Sequence, residues 1–354
     1  MNSKTVYTLT FHGVLNHGAV LQAYALQAYI LNKGYSSELI NYKPWYLTYQ
    51  VLRPAKGIGK TILKYKRLYL FKKFSTKYLA LNKHSITTPQ DWLKLGEYHA
   101  VVCGSDQIWN KSITGKKYDP AFFLNFVSNK ARKIAYAASA GGNILSQDPQ
   151  PKEYTQSFNS MGVREQHLKT DMIEHKLHND PELVIDPTFL ISDYSKIMSR
   201  KHVPSGKYIV SYEVSTDETR SKLNEFVAAL KVMTGLPVYH IGDKPISAAD
   251  QCLLGISPSD WIGLVQSAAM VCTNSFHGTA FSLNFSKPLV FVKHIENEKN
   301  ARALSLLDKT DLNHVVYDHI DELSNRDIWQ KPNKTKLAEF IKQSQDFLDN
   351  ALKN

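Results

Sequence analysis

The chain has 354 residues, of which 43% are hydrophobic and 21% charged, with 43 Lys and Arg against 32 Asp and Glu for a formal net charge of +11. This suits a soluble globular protein of roughly two domains, and no uninterrupted apolar segment is long enough to span a bilayer. The three cysteines, Cys103, Cys252 and Cys272, have neither metal nor redox spacing, and Cys103 and Cys272, in apolar runs, are expected to be buried free thiols, which suits a reducing compartment.

The segment Met1 to Phe11 is polar and lacks the apolar core of a secretory leader, which predicts a cytoplasmic protein. Lys4 to Thr10 reads as a first strand. A polar loop with His12 comes next, and Asn16-His17-Gly18-Ala19 opens a helix that runs to Gly34. Glu38 to Asn41 reads as a second strand. This is the first unit of a doubly wound sheet, although the dinucleotide glycine fingerprint is absent.

No acidic residue occurs between Glu38 and Asp91, a window that carries lysines from Lys43 to Lys83 interleaved with Trp45, Tyr46, Tyr49, Tyr65 and Tyr69. Such interleaving suits an anionic membrane surface or a diphosphate-bearing ligand, and it equally describes a solvated helix face. A nucleic-acid partner is not expected, because no recognised binding motif accompanies the charge. Gly57-Ile58-Gly59-Lys60-Thr61 imitates a phosphate loop, but its first glycine position holds Pro54 and no strand precedes it.

Thr88-Pro89-Gln90-Asp91 has capping-box spacing and starts a short helix through Leu95. His99 to Cys103 is then an apolar strand that ends at Gly104-Ser105-Asp106-Gln107-Ile108-Trp109-Asn110. Ligands gather at such strand ends in parallel sheets. Asp106 could accept a hydroxyl proton there, or could merely cap a helix beside Gly104. Lys133 to Ala138 is a further strand. Arg164, after a helical stretch, has the fork geometry for a carboxylate or phosphate, and could equally pair with Glu165 or another acid.

A second half begins near Ile191. Tyr208 to Val214 reads as a strand, Thr219 to Met233 as an amphipathic helix, Pro237 to Ile241 as a strand, and Ser257 starts a helix to Ser267. Ala268 to Cys272 is a short buried strand, followed by Thr273-Asn274-Ser275-Phe276-His277-Gly278-Thr279-Ala280. Helix N-termini attract anions, Ser275 and Thr279 can bond a phosphate, and His277 can carry a proton. An ordinary capped helix with a core histidine is the plainer alternative. Lys293, Lys299 and Arg302 come after the next apolar run, and Lys334 to Leu352 is a terminal helix.

These clusters together resemble the polysaccharide pyruvyl transferase family. The resemblance rests on Asn16 to Gln27, Gly104 to Asn110, Phe122-Phe123-Leu124, Ala135 to Ser139, Val163-Arg164-Glu165, Asp186-Pro187-Thr188 and Asn274 to Gly278. Two departures stand out. His17 replaces a tyrosine, and Ser275-Phe276 stand where better-known members have arginine and leucine before the histidine. Lys293, Lys299 or Arg302 could supply the missing cation.

The resemblance implies two Rossmann-like α/β domains, 1–190 and 191–354, facing across a cleft in a glycosyltransferase-B-like fold. It makes the first domain the acceptor side and the second the donor side, with helix 334–352 packing back on the first. It implies a pyruvyl group moved from phosphoenolpyruvate to two hydroxyls of a sugar. The acceptor would belong to a surface polysaccharide or its lipid-linked precursor, and no resident cofactor is implied. His277, Arg164 and Asp106 are then the expected catalytic residues. Asn16, His17, Gly18, Ser105, Asn274, Ser275, Gly278, Thr279, Lys293 and Arg302 are the expected substrate contacts. No metal site is expected. A nucleotide-sugar glycosyltransferase of the same architecture, or a non-catalytic binding protein for lipid-linked saccharide or membrane surface, would also fit the residues.

Overall fold

Short, continuously apolar runs bounded by polar turns form the strands of two parallel sheets, the pattern expected when helices cover both faces. The computed structural model describes residues 4–128, 130–214 and 217–353. In chain order the first elements are β1 (Thr5–Leu9), α1 (His17–Asn32), β2 (Ser36–Tyr42), α2 (Trp45–Leu52), α3 (Ile58–Tyr78) and β3 (Leu81–Ile86). They are followed by β4 (Ala100–Cys103), β5 (Arg132–Ala138), α4 (Gln150–Thr155), β6 (Ser160–Val163), α5 (Gln166–Glu174) and β7 (Pro181–Leu183). The seven strands pair in parallel in the order β3-β2-β1-β4-β5-β6-β7.

Alternation along the central strands separates two cores. Leu9, Val101, Cys103 and Ala135 point into one, and Val6, Ala100, Val102 and Ile134 into the other. Asn16 caps α1 by accepting from the Ala19 backbone N–H at 3.1 Å. The expected box at Thr88 also forms: the Asp91 carboxylate accepts from the backbone N–H of Thr87 and Thr88 at 2.9 and 2.8 Å, although the turn it starts is 3₁₀.

The second sheet comprises β8 (Ile209–Tyr212), α6 (Asp217–Thr234), β9 (Val238–Gly242), β10 (Gln251–Leu254), α7 (Pro258–Ser267), β11 (Met270–Thr273), α8 (Phe276–Asn284), β12 (Leu289–Val292), α9 (Ala301–Lys309) and β13 (Val316–Tyr317). Its strands are again parallel, in the order β10-β9-β8-β11-β12-β13. Last comes α10 (Thr335–Lys353).

The chain divides into one unit of Met1–Pro54, Lys72–Ile191 and Ala338–Asn354, and another of Ala55–Phe71 and Ser192–Leu337. A single cut at 190 therefore does not describe it. Most of α3 belongs to the second unit. There Leu63 and Arg67 press on Gly255, where a Cβ would fall 2.7 Å from Leu63 Cδ1, and Arg67 pairs with Asp243. Most of α10 belongs to the first unit, where Phe347, Leu348, Ala351 and Leu352 join the core with Val6, Val102 and Ile134. Among the described residues no helix is long and apolar enough to cross a membrane.

Each sheet has one place where its order reverses, β1/β4 in the first and β8/β11 in the second. Open parallel sheets bind ligands at the carboxyl ends of such strands.

Candidate functional site

The first reversal is lined by the loop after β1 and the loop after β4. Gly104 leaves β4 at φ 128, with no room for a Cβ, which would lie 2.0 Å from the Tyr136 carbonyl oxygen. Ser105 is fully buried: its N–H donates to Gln22 Oε1 at 3.2 Å and its carbonyl accepts from Thr10 Oγ1 at 3.0 Å. Gln22 Nε2 in turn donates to Thr10 Oγ1 at 2.9 Å, so β1, α1 and the loop after β4 form one hydrogen-bonded unit. Asp106 sits in the left-handed region at φ 69, is largely buried, and accepts from the Gln107 N–H at 2.8 Å. Asn16 caps α1, and His17 and Gly18 are buried at its start. His12 lies 3.2 Å from the Thr10 carbonyl through Nδ1, and burial lowers its pKa.

Arg164 comes directly after β6, a strand not expected from the sequence, and its side chain is buried. Nη1 donates to Asp186 Oδ2 at 2.8 Å and Nε lies 3.3 Å from Glu165 Oε1. Ser105 Oγ is 2.9 Å from the same Asp186 oxygen and 3.0 Å from the Ala137 carbonyl. The other Asp186 oxygen accepts from Thr188 N and Oγ1 at 3.0 and 2.9 Å. Burial works against the guanidinium charge, but Glu165, Asp186 and Asp106 outweigh it and hold its pKa above the ordinary value. The expectation of an anion-seeking fork thus meets a different arrangement: the one cation already faces two carboxylates. The pairing with Glu165 weighed from sequence is present, and Asp186, 22 residues further on, is the stronger partner.

At the second reversal, Ser275 caps α8 by accepting from the Gly278 N–H at 3.4 Å, and the Ser275 N–H donates to Thr273 Oγ1 at 3.0 Å. Gly278 is required by packing: a Cβ there would stand 2.4 Å from Thr273 Oγ1. Thr279 Oγ1 donates to the Ser275 carbonyl at 3.0 Å, so that hydroxyl serves its own helix. His277, in the first turn of α8, is buried, with its ring edge-on to Phe276 at 5.1 Å between centroids. The Arg302 guanidinium lies 5.8 Å from the Phe276 ring centre.

Asn274 and His294 are fixed by the backbone. Asn274 Oδ1 accepts from the Val214 N–H at 3.0 Å, which leaves Nδ2 as the donor end of the amide. His294 Nε2 is 2.8 Å from the Asn274 carbonyl oxygen, so that nitrogen carries the proton and Nδ1 is a bare acceptor. Burial lowers the His294 pKa to about 4, which keeps the ring neutral. Both Asn274 Nδ2 and His294 Nδ1 are buried and meet no hydrogen-bond partner among the described residues.

Lys293 is engaged elsewhere, with Asp318 Oδ2 at 2.8 Å, and Lys222 takes the other Asp318 oxygen at 2.6 Å. Lys299 pairs with Glu296 at 3.0 Å. Sequence reasoning overlooked Gln22, His294 and a cluster after β8: buried Glu213 with Oε1 2.6 Å from Arg220 Nε, and His240 3.9 Å from the same oxygen. Burial lowers the His240 pKa to about 4. The signal for Glu213 was its place at the carboxyl end of β8, the neighbour of β11. Among the described residues no three His, Cys, Asp or Glu side chains converge as a metal site would need.

Solved structures with this architecture include Arabidopsis thaliana UGT89C1 complexed with UDP-L-rhamnose, 9% identical over 99% of this chain and 99% of that one, with a TM-score of 0.53. A UDP-N-acetylglucosamine 2-epimerase matches at 10% identity over 99% and 95% of the two chains with a TM-score of 0.53. An alpha-glucosyltransferase in complex with UDP and DNA matches at 9% identity over 99% and 92%, with a TM-score of 0.51. At such identities the likeness is one of fold: two Rossmann-like α/β domains of the glycosyltransferase-B kind. No curated protein matches the sequence. The model of the polysaccharide pyruvyl transferase family matches residues 16–296, and the chain belongs to that family.

Proposed function

We propose that the protein moves the pyruvyl group of phosphoenolpyruvate onto two hydroxyls of one sugar, in a surface polysaccharide or its lipid-linked precursor. Phosphate is released and a cyclic ketal remains. One observation carries this reading: the family match spans both strand-end clusters, from Asn16 to beyond His277. The donor is doubly anionic at its phosphate and carries a carboxylate, and the first turn of α8 suits it. The helix dipole, the Asn274 amide donor and His277 are all neutral or positive there.

In this reading His277 binds the phosphate and relays a proton to the donor's methylene carbon, which becomes the methyl of the product. The first sugar hydroxyl adds to the resulting cation-like centre and gives its proton to a base. Asp106 is assigned that role on the acceptor side. Phosphate then leaves with its bonding electron pair, and the second hydroxyl closes the ring. Of the two hydroxyl protons, one is accounted for by the new methyl and the other leaves with phosphate. Arg302 beside Phe276 is the cation for the donor's carboxylate, in place of the missing arginine. Arg164 enters as a positioning residue that holds Ser105 beside Asp106, since two carboxylates already answer its charge. The scheme requires no resident cofactor.

The test is incubation with labelled phosphoenolpyruvate and candidate saccharides, with mass spectrometry of the acceptor and assay of free phosphate. His277→Ala should lower turnover by roughly 10²- to 10⁴-fold, with unchanged thermal stability. Stabilisation by nucleotide sugars alone, without phosphate release from phosphoenolpyruvate, would assign the site to glycosyl transfer instead.

A further inference from the structure

The acid-free window from residue 39 to 90 contains eleven Lys and Arg, which equals the net charge of the whole chain. The rest of the protein therefore balances to zero, and any attraction to an anionic partner is concentrated here. Of the seventeen large hydrophobic side chains exposed among the described residues, seven lie between Trp45 and Tyr69. Charge and exposed apolar surface thus share one short stretch of sequence.

Helix α3 shows how they are arranged. Its Leu63, Arg67 and Phe71 are turned to the protein, held by the contact with Gly255, the Asp243 pair and burial of Phe71. Ile58, Ile62, Tyr65 and Tyr69 fall at i, i+4, i+7 and i+11, a single stripe on the opposite side. They are exposed, Ile58 by 83% and Ile62 and Tyr69 each by 64%. Exposed Lys66, Lys72 and Lys73 flank that stripe in the helical projection. A helix resting on a core needs one apolar face, and α3 has two. Helix α2 repeats the pattern in miniature: none of its eight residues is buried, and Trp45, Tyr49 and Leu52 at i, i+4 and i+7 are exposed, Trp45 by 77%.

We propose that the exposed stripe of α3 is a peripheral attachment surface for a phospholipid bilayer bearing anionic headgroups, and that the exposed face of α2 is a second contact of the same kind. Isoleucine and leucine enter the acyl boundary, tyrosine and tryptophan take the headgroup level, and lysines meet phosphate. Two other occupants fit less well. A nucleic-acid strand offers phosphate and stacking bases but no apolar phase for Ile58 and Ile62. A second copy would bring an equally basic window against this one. The inference does not depend on the reaction proposed above.

The test is co-sedimentation of the full chain with vesicles of phosphatidylcholine alone and with added phosphatidylglycerol. Binding should require the anionic lipid and weaken with salt, each lysine raising the partition roughly fivefold. Ile58→Glu with Ile62→Glu, and separately Lys66→Glu, Lys72→Glu and Lys73→Glu together, should each reduce binding at least about tenfold. Val232→Glu, at an exposed position of α6, is the control and should change nothing. Circular dichroism verifies that each variant is folded. Three results would overturn the proposal: no lipid binding by the wild-type chain, binding unaffected by both stripe variants, or a stripe-dependent affinity for single-stranded nucleic acid or for a second copy in place of vesicles.

Discussion

The two strand-end clusters occupy equivalent places in their sheets, yet they are built differently. After β4 and β6 the polar groups close on one another: Arg164, Asp186, Glu165 and Ser105 form a buried ionic knot with more negative than positive charge. After β11 and β12, Asn274 and the neutral His294 ring are tied to backbone, and their Nδ2 and Nδ1 atoms are buried with no hydrogen-bond partner among the described residues. Equivalent topology therefore does not mean equivalent chemistry. In the first cluster the polar groups answer one another, whereas the second holds a buried donor and a buried acceptor that meet no partner among the described residues.

That contrast can be broken experimentally. Arg164→Ala strands two carboxylates in the interior, and should destabilise the protein by about 3–5 kcal/mol in denaturant melts. Arg164→Ala with Asp186→Asn should recover part of the loss. A normal melt with only a raised KM for phosphoenolpyruvate would instead make Arg164 a donor ligand and erase the contrast. At the second cluster, Gly278→Ala drives a methyl into Thr273 and should cost about 1–3 kcal/mol, with Thr273→Ala in the same chain restoring most of it. An unchanged melting temperature for Gly278→Ala would mean that this turn is looser than its packing indicates.

The most gradual effect concerns pH. His240 and His294 keep folded pKa values of about 4, below the unfolded value of about 6.5. The unfolded chain therefore takes up protons that the folded chain refuses as pH falls between those values. Each imidazole should then cost stability at up to about 1.4 kcal/mol per pH unit in that window, and nothing above it. Measuring melts from pH 8 to pH 4 for wild type and His240→Gln checks this; identical slopes would place the His240 ring in water.

Much of this architecture could be read from the chain because its central strands are apolar throughout. The runs at β1, β4, β5, β8, β9, β11 and β12 announce themselves, and Asn16, Ser257 and Ser275 mark helix starts that the structure bears out. The edge strands β3, β10 and β13 went unread, because a strand with one free edge needs no continuous apolar run. β3, reading Leu81-Asn82-Lys83-His84-Ser85-Ile86, has two apolar residues in six. β6 is only four residues long and begins Ser160-Met161-Gly162, too little signal to separate it from a turn. At the sites, residue types were legible but partners were not. Nothing in local sequence tells Arg164 that Asp186 waits across a helix and a strand, or ties Gln22 to Ser105.

The placement of α10 has a consequence for how the protein comes into being. The first unit's core, between β1, β4 and β5, is filled by Phe347, Leu348 and Leu352, which are synthesised after every strand of the second sheet. The first sheet is thus covered only after the second sheet has been made, the reverse of the usual order in which leading domains settle during synthesis. A nascent chain ending at Ile191 holds an open sheet with one face still waiting for its lid.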